Sequence, residues 1–400
     1  MKLALLVLTQ LCVLASFVFA GVQREGPEQS EFENEARRQQ FLSVGAIGAI
    51  GGQLPYTCSG TLIAPEWILT AAHCVDDHLV VNGPPSAFQV SFGRPGQNDG
   101  VPVIGFAQEV VGGQLRTYVT PEWLANPSLS DGFDFALIHL DQPVTSIAPA
   151  IRRNAPIHES EFGQLITTFV GRGTYGDGVS GPTQAGGTFH AGKNVVDDWY
   201  RFDDGNGNTF VRTNIFTVDL DNPNDPSDST LGTTDVLPLE YIVAPGDSGG
   251  AAFLSTSPTG FQEISGVNSF GSDRHDNDGD GVLGELNDNF RYGDVSGLGR
   301  VDLVNEWIDE AMGFRRASWS GGSGSWHDFA NWNTGFDIPN DDSNDRYRVI
   351  FNAGSASLAG SVTISDLEMR GGSISTLFGK LTLIGTSFWT EGDLDGTNGF

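Results

Sequence analysis

Ala244-Pro245-Gly246-Asp247-Ser248-Gly249-Gly250 is the stretch on which the interpretation of this 400-residue chain depends. A serine hydroxyl is a poor nucleophile unless a base takes its proton. Glycines on both sides of Ser248 allow a tight turn that points successive backbone N–H groups towards a developing oxyanion. Taken alone, such a run is more often an ordinary turn. Its significance therefore depends on a histidine and a buried carboxylate elsewhere in the chain.

Two further segments supply these groups. His73 lies at the end of a strand-like apolar run, in Thr70-Ala71-Ala72-His73-Cys74, and Asp134 precedes the apolar run of residues 135–140. An imidazole takes and returns a proton near neutral pH, so His73 is the candidate general base, with a structural histidine as the alternative. Asp134 is the candidate that orients the imidazole. Asp131 is its nearby competitor, and either acid alone is also typical of a solvated turn.

The three segments, in the order His73, Asp134, Ser248, together resemble the trypsin/chymotrypsin family of serine endopeptidases, in its secreted bacterial form. The resemblance covers roughly residues 41–314. It implies an all-β fold, a double β-barrel followed by a C-terminal helix, and a triad that works through an acyl-enzyme. It also implies an oxyanion hole at the backbone N–H groups of Gly246 and Ser248.

The same resemblance assigns the primary specificity pocket. Its base would be Ile242, six residues before the nucleophile, where trypsin-like enzymes carry an aspartate that pairs with Arg or Lys. Ser269, Phe270 and Gly271 resemble the strand that lines this pocket and pairs with the substrate backbone. We therefore expect the pocket to accept an apolar or small side chain. If insertions shift the alignment, Ile242 is simply a core residue.

Asp247 marks a departure from the family pattern. In animal relatives, the acid before the serine pairs with a new N-terminus made by cleavage before an Ile-Val-Gly-Gly-like sequence. No such sequence precedes the first strand here, since Arg37-Arg38 is followed by Gln39-Gln40-Phe41. Activation by that route is therefore doubtful on the sequence alone. Either the enzyme matures without it, or Asp247 has another partner.

Charge and the N-terminal residues define the class of protein. A formal net charge of −29, from 50 acidic and 21 basic residues, argues against a nucleic-acid partner. Met1-Lys2, an apolar run from Leu3 to Phe19 and the small residue Ala20 predict a signal peptide at residues 1–20. A transmembrane anchor is the alternative, but the run is short for a span. We expect a secreted or extracellular protein, in the periplasm or at the cell surface if the source is bacterial, with no membrane anchor in this chain.

Two cysteines remain once Cys12 leaves with the signal peptide. In an oxidising compartment an even pair predicts a disulfide, here between Cys58 and Cys74. The family resemblance implies the same bond, which closes the loop that carries His73. A metal-binding pair is the weaker alternative, because no second pair of soft ligands lies nearby.

Composition divides the mature chain into three segments. Residues 21–40 are polar and predict a leader or propeptide, either mobile or a short helix. Short apolar runs between Gly, Pro, Asn and Asp predict the β-rich protease domain over residues 41–314. Residues 315–400, with Trp319, Trp326 and Trp332 among Gly and Ser, resemble the β-repeats of bacterial surface proteins. They predict a small solenoid-like segment, truncated from a longer protein or docked on the protease, that contacts a cell surface or matrix.

One acidic loop matches the first half of a calcium site. In residues 276–281, Asp276, Asp278 and Asp280 alternate as candidate ligands, but the twelfth position is Asn287 rather than the usual glutamate. An acidic turn is the alternative, and catalysis itself is expected to require no cofactor. The sequence thus favours a secreted serine endopeptidase acting on polypeptides. Its rival is a catalytically silent binding or adhesion protein that displays the β-repeats.

Overall fold

The computed structural model describes thirteen segments of the chain. They are residues 21–50, 57–76, 87–93, 103–107, 110–111, 114–115, 117–184, 186–203, 209–255, 262–272, 290–342, 345–376 and 379–396. The predicted signal peptide and the predicted calcium loop, with Asp276, Asp278 and Asp280, lie outside these residues. The chain divides into two compact units, Met1–Asp302 (unit 1) and Leu303–Phe400 (unit 2).

Unit 1 is mostly β-structure, so the all-β class predicted from the sequence is confirmed. Its described helices are α1 Gln29–Ala36 and α2 Pro121–Ala125. Its described strands are β1 Val22–Gln23, β2 Val44–Ile50, β3 Thr57–Ala64, β4 Trp67–Thr70, β5 Ala87–Phe92, β6 Val103–Ala107, β7 Val110–Val111, β8 Gln114–Leu115, β9 Thr117–Val119, β10 Ala136–His139, β11 Ile166–Gly171, β12 Tyr175–Asp177, β13 Gly181–Gln184, β14 His190–Val195, β15 Asp198–Asp203, β16 Thr209–Asp219, β17 Tyr241–Ile242, β18 Ala251–Ser255, β19 Gln262–Ser272 and β20 Val295–Arg300.

The first large sheet carries the segments around His73 and Asp134. Its seven strands are hydrogen-bonded in the order β6-β5-β2-β3-β4-β10-β9, and neighbouring strands run antiparallel. Apolar side chains that alternate along these strands meet in one core. That core includes Ile47, Leu62, Ile68, Val90 and Ile138. Because β4 and β10 are neighbours, the residues that follow β4 and precede β10 emerge at the same end of the sheet.

A disulfide joins the two ends of the histidine loop. Cys58 in β3 is bonded to Cys74 in the 3-10 turn Ala72–Cys74, as the sequence predicts. Cys58, His73 and Cys74 offer ligand atoms within 4.8 Å of one another, but both sulfurs are committed to the disulfide. Closing a loop of this length contributes about 3 kcal/mol through the entropy of the unfolded chain.

The second large sheet carries the segments around Ser248. Its order is β14-β11-β18-β19-β20-β16-β15, again with antiparallel neighbours. Phe169, Phe216, Leu254 and Leu298 are fully buried in its core. The pairing of β19 with β20 shifts register between Asn268 and Phe270, so the ladder is bulged next to Ser269.

Residues 21–40, predicted as a leader or propeptide, are packed into unit 1. β1 lies between β12, which runs parallel to it, and β17, which runs antiparallel, in a sheet of order β13-β12-β1-β17. Val22 is fully buried, and so is Phe32 of α1, whose ring lies 6.4 Å from that of Tyr241. Of the two alternatives for this segment, the structure shows the short helix.

Unit 2 contains α3 Asn305–Ala311 and strands β21 Arg315–Ser318, β22 Ser323–Ser325, β23 Tyr347–Phe351, β24 Ser355–Leu358, β25 Val362–Ile364, β26 Asp366–Thr376, β27 Leu381–Leu383 and β28 Ser387–Gly396. In the described residues of this unit, the hydrogen-bonded strand pairs run parallel. Trp319, Trp326 and Trp332 are buried in its core, and each indole N–H donates to a backbone carbonyl. The tryptophan pattern noted in the sequence is therefore part of a hydrophobic core. In the described part of the chain, no helix is long and apolar enough to cross a membrane.

Candidate active site

The structure brings His73 and Asp134 together. His73 Nδ1 lies 2.7 Å from Asp134 Oδ2, and the backbone N–H of His73 donates to Asp134 Oδ1 at 2.9 Å. Two contacts to one carboxylate fix both the backbone and the ring of the histidine. A carboxylate at Nδ1 favours the tautomer with the proton on Nδ1, which leaves Nε2 as the nitrogen that can accept a proton.

Asp134, and not Asp131, is the acid at this position. Asp134 is 1% exposed and lies two residues before β10. Asp131 is partly exposed and forms an ion pair with Arg212 at 3.1 Å. A buried carboxylate requires hydrogen-bond partners, and His73 provides two of them.

Ser269 provides the third partner of Asp134. Its hydroxyl donates to Asp134 Oδ2 at 2.5 Å. The register shift in β19 places this residue at a bulge, which is the usual way for a sheet to redirect one side chain. The sequence predicted Ser269 as part of the substrate-binding strand. Its side chain contacts the acid of the site, a role that the sequence did not indicate, and its part in substrate binding remains a prediction.

The pKa of His73 reflects two opposing effects. Burial of the ring lowers the pKa, whereas the charge of Asp134 and its hydrogen bond raise it, and the result lies above the ordinary value of 6.5. The carboxylate thus stabilises the imidazolium that would form when the ring takes a proton. This is the property that a general base next to a hydroxyl nucleophile requires.

The Ser248 segment is attached to the first sheet through Ser59 of β3. The Ser59 N–H donates to the carbonyl of Ser248 at 2.8 Å, and its hydroxyl donates to the carbonyl of Gly246 at 3.1 Å. Ser59 follows Cys58, and so the disulfide, the histidine loop and the serine loop share one stretch of backbone. Nothing in the sequence signalled Ser59, because its contribution is a contact between residues 187 positions apart.

The glycines around Ser248 have distinct structural requirements. Gly246 and Gly249 have φ of +97° and +78°, a region that favours glycine. A Cβ on Gly249 would come within 2.0 Å of Thr70 Oγ1 and 2.4 Å of the Ser59 carbonyl oxygen. The backbone beside Ser248 therefore lies directly against the strand end that leads to His73. The assignment of the Gly246 and Ser248 N–H groups to an oxyanion hole remains a prediction.

Asp247 is fully buried and surrounded by donors. Its Oδ2 accepts from the Tyr241 hydroxyl at 2.7 Å, the Gly21 N–H at 2.9 Å and the Ala244 N–H at 3.2 Å. Its Oδ1 accepts from the Gly173 N–H at 2.8 Å. Burial is the main reason why the pKa of Asp247 is raised to about 6, and these hydrogen bonds act in the opposite direction. The carboxylate thus holds the peptide next to Ser248 at a substantial cost in desolvation.

Gly21 is the partner that the sequence did not predict for Asp247. The residue lies immediately after the predicted cleavage site and has no room for a side chain, because a Cβ would come within 1.7 Å of the Tyr241 ring. The following residue, Val22, pairs with Ile242 of β17. Gly21-Val22 therefore occupies a buried position next to the serine segment, although no Ile-Val-Gly-Gly-like sequence is present.

The predicted pocket residues lie in apolar surroundings. Ile242 is fully buried in the core of the second sheet, opposite Val22. The Phe270 ring lies over Gly297, and a Cβ on Gly271 would come within 2.1 Å of the Phe290 ring. The role of Ile242, Phe270 and Gly271 in substrate binding remains a prediction.

Comparison with known proteins connects the site to a family. Residues 33–180 match the trypsin family model. The matched residues contain His73, Asp134 and both cysteines, and they end before Ser248. The link between Ser248 and the other two residues therefore depends on the geometry described above.

Similar proteins are chymotrypsin-like elastases. The chain is 38% identical over 114 residues to chymotrypsin-like elastase family member 1 of Canis lupus familiaris, which is 28% of this chain and 38% of that protein. The protein of the same name from Macaca fascicularis is 39% identical over 97 residues, 24% of this chain and 31% of the relative. The protein of the same name from Rattus norvegicus is 32% identical over 145 residues, which is 33% of this chain and 49% of the relative. These matches span less than half the length of the relatives.

Proposed function

We propose that this protein is a secreted serine endopeptidase that hydrolyses polypeptides through Ser248, His73 and Asp134. The observation that carries the proposal is the contact of 2.7 Å between the buried Asp134 carboxylate and His73 Nδ1. The loop that carries His73 is closed by the Cys58–Cys74 disulfide, and Cys58 directly precedes Ser59. Ser59 in turn donates hydrogen bonds to the backbone carbonyl groups of Gly246 and Ser248. The trypsin family match and the elastase relatives support the same function.

In the proposed mechanism, each group has one task. His73 Nε2 takes the proton of the Ser248 hydroxyl as its oxygen attacks the scissile carbonyl, and Asp134 stabilises the resulting imidazolium. The N–H groups of Gly246 and Ser248 would stabilise the oxyanion. His73 then gives the proton to the leaving amine, which leaves an acyl-enzyme. A water molecule, activated by the same imidazole, releases the product acid.

We propose a pocket for apolar or small side chains. Ile242 cannot pair with a substrate Arg or Lys, and Phe290 packs in the same hydrophobic cluster as Ile242. A hydrophobic pocket gains about 25 cal/mol for each Å² of apolar surface removed from water. A peptide library should therefore show cleavage after apolar or small residues rather than after basic ones.

We also propose that removal of residues 1–20 completes the site. Cleavage after Ala20 would convert the Gly21 amide N–H, 2.9 Å from Asp247 Oδ2, into an ammonium group. A positive charge at this position would stabilise the buried carboxylate and hence the peptide that holds Gly246 and Ser248. In this proposal, export of the protein and activation of the protease depend on the same cleavage.

Unit 2 suggests attachment rather than catalysis. Its parallel strand pairs support a rung-like β-repeat, and its tryptophans are occupied in the core. We propose that it holds the enzyme at a cell surface or matrix through its outer faces. The silent-scaffold alternative is less well supported, because His73, Asp134, Ser248 and Gly246 are all present in a connected arrangement.

The test is labelling by a serine-directed fluorophosphonate probe. We expect the purified chain beginning at Gly21 to be labelled and Ser248→Ala to remain unlabelled. Ser180→Ala, which removes an exposed hydroxyl elsewhere in unit 1, is the matched control and should label like the unmodified chain. Equal labelling of Ser248→Ala, or no labelling of a folded unmodified chain, would exclude the proposed nucleophile.

A further inference from the structure

Strand β16 of the second sheet is irregular where it approaches the loop that carries Asp134. The pairing of β15 with β16 shifts register between Trp199, whose partner is Phe216, and Tyr200, whose partner is Arg212. Residues 213–215 of β16 therefore lie between two consecutive pairs of the ladder, and we call them the β16 bulge. A bulge redirects a side chain away from the regular pattern of the strand.

Arg300 of β20 holds the β16 bulge in place. Its Nη1 donates to the carbonyl of Thr213 at 2.8 Å, whereas its Nε and Nη2 donate to the Asp302 carboxylate at 3.0 and 2.5 Å. Arg300 is 6% exposed, and its guanidinium lies 4.9 Å from the centre of the Trp199 ring. A carboxylate that binds two nitrogens of an arginine fixes the orientation of the guanidinium. The shape of the bulge is thus set by a buried group.

The β16 bulge directs Asn214 to the backbone that leads to Asp134. Asn214 Nδ2 donates to the carbonyl of Asp131 at 2.5 Å. The next residue, Gly132, has φ of +76°, and a Cβ there would come within 2.6 Å of both Asn214 Nδ2 and Ile215 Cγ1. The turn before Asp134 therefore requires glycine, both for its backbone conformation and for the close approach of Asn214.

The residues on the other side of Asp134 are held as well. The Thr120 hydroxyl donates to the carbonyl of Phe133 at 2.5 Å, and the Thr120 N–H donates to the carbonyl of Phe135 at 3.2 Å. The Phe135 ring is fully buried, and a Cβ on Gly299 of β20 would come within 2.7 Å of it. The carboxylate that contacts His73 thus belongs to a short segment with one anchor from each sheet.

A cavity beside the Asn214 contact gives this segment room to move. Its volume is about 540 Å³, and its lining includes Asn126, Ser128, Asp131, Phe133 and Asn214. Protein interiors are otherwise packed closely enough to restrain a chain even where one hydrogen bond is lost. On the side of the cavity that restraint is missing, so the position of the segment depends more strongly on the hydrogen bond from Asn214.

The neighbouring ion pair is a different kind of contact. Arg212 Nη2 lies 3.1 Å from Asp131 Oδ1, and the two side chains are 38% and 33% exposed. Ion pairs that are exposed to this extent contribute little to stability. This pair also involves the side chain of Asp131, whereas Asn214 binds the backbone itself. The two contacts can therefore be separated by mutation.

We propose that Asn214 is a positioning residue, which holds the Asp134 carboxylate against His73 through the carbonyl of Asp131. It touches neither the nucleophile nor the base. Ser269 and Asn214 both come from irregular positions of the second sheet, but Ser269 binds the carboxylate and Asn214 binds the backbone before it. The inference rests on the proposed function, in which Asp134 supports His73 as the base.

Asn214→Leu tests the proposal, because leucine has a similar size and no donor. If the segment relaxes, the charge and hydrogen bond of Asp134 act less on His73, and burial, which lowers the His73 pKa, remains. We expect kcat to fall about 10-fold while KM changes by less than about two-fold. The acid limb of the pH profile should move to lower pH. An NMR titration of the His73 ring, assigned with His73→Gln, should show the same fall in pKa.

Two further variants identify the contact responsible. Asn214→Gln keeps the amide, and the cavity can accept its additional methylene, so kcat and the His73 pKa should return most of the way. Arg212→Gln removes the ion pair and leaves the Asn214 hydrogen bond, so both quantities should stay close to those of the unmodified chain. If Asn214→Leu does not fold, Asn214→Ala removes the same donor without adding bulk.

The proposal fails if a folded Asn214→Leu or Asn214→Ala chain keeps the His73 pKa of the unmodified chain. It also fails if Asn214→Gln restores neither quantity, or if Arg212→Gln lowers both as much as Asn214→Leu does. The NMR titration requires no enzymatic activity. An inactive unmodified chain would therefore refute the proposed function, whereas an unchanged His73 pKa in the variants would refute the role of Asn214 alone.

Discussion

The two seven-stranded sheets of unit 1 are stabilised in different ways. The first sheet has an apolar core, and the loop that carries His73 is closed covalently by the Cys58–Cys74 disulfide. The second sheet has an apolar core as well, but it also buries Asp219, Glu240 and Asp247. The candidate base is thus held by a covalent bond and one carboxylate. The candidate nucleophile is held by a region that buries several carboxylates, among them Asp247 beside Ser248.

This difference predicts that the two sheets respond to different perturbations. Changes to the disulfide or to Asp134 should act on the base and its loop. Changes to the charge at Gly21 should act on the serine side. Two sites far apart without shared partners contribute additively to stability. Measurements that combine perturbations can therefore show whether the two sheets behave independently.

The largest effect is expected from Asp134→Asn. The amide cannot stabilise the imidazolium and favours the wrong tautomer of His73, so kcat/KM should fall by about 10³–10⁴-fold. The acid limb of the pH profile should also move. In the unmodified enzyme the base is lost as the pH falls through a His73 pKa above 6.5. Without the carboxylate, burial alone remains and lowers that pKa, so the limb should move to lower pH.

The control for this variant is Asp131→Asn. Asp131 lies three residues away, is partly exposed and pairs with Arg212 rather than with His73. We expect Asp131→Asn to change kcat/KM by no more than a few-fold and to leave the pH profile in place. A comparable loss in both variants would indicate a general disturbance of the loop and would count against the assignment of Asp134.

The second effect concerns the charge next to Asp247. A chain with two additional residues before Gly21 carries an amide where the chain beginning at Gly21 carries an ammonium group. Because Asp247 lies between the two predicted oxyanion donors, a shift of this peptide should lower kcat/KM by about 10²–10³-fold. The measurement is a kinetic comparison of the two purified chains.

A double-mutant cycle sharpens this experiment. If the amine acts through Asp247, the extension should have little further effect in Asp247→Asn. The chain beginning at Gly21 should also lose activity at alkaline pH, as the ammonium group gives up its proton. Equal activity of the extended and unextended chains would rule out activation by cleavage after Ala20, and it would leave the triad assignment intact.

The third effect is on stability rather than on rate. The double variant Cys58→Ser/Cys74→Ser should lower the free energy of unfolding by about 2–4 kcal/mol, since the unfolded chain is no longer constrained. Denaturant titration measures this change. The loss of stability caused by two additional residues before Gly21 should be the same with and without the disulfide if the two sheets are independent. A clearly non-additive result would show that the Ser59 contacts couple them.

The sequence was sufficient for features that depend on local pattern. Apolar runs between turn residues predicted the β class, and the cysteine count predicted the disulfide. Motifs also identified His73, Asp134 and Ser248, although each was only a short run of residues. The β class and the disulfide are confirmed because both depend on local residue pattern. The catalytic roles of His73, Asp134 and Ser248 remain predictions.

Features that depend on contacts between distant residues could not be predicted. Ser59 contacts the serine loop across 187 positions, and Gly21 contacts Asp247 across 226. The buried acids Asp219, Asp221 and Glu240 lie 22 to 43 positions after the buried Asp197, and each of them also suits an ordinary surface loop. The sequence offers one signal here, the high density of Asp and Asn after β16, which is typical of a surface loop.

The smallest effect is expected from Ser269→Ala, at the contact between the two halves of the site. Its hydroxyl, from the second sheet, donates to Asp134, which pairs with His73 of the first sheet. Without this donor the carboxylate is less stabilised as an anion, so it should hold the imidazolium more strongly and raise the His73 pKa. We expect kcat/KM to fall a few-fold and the acid limb of its pH profile to move to higher pH. Ser269→Thr, which retains a hydroxyl, should restore the original limb. If Ser269 only fills space, alanine would reduce the rate without moving the limb, and the two sheets would be joined at this site by packing alone.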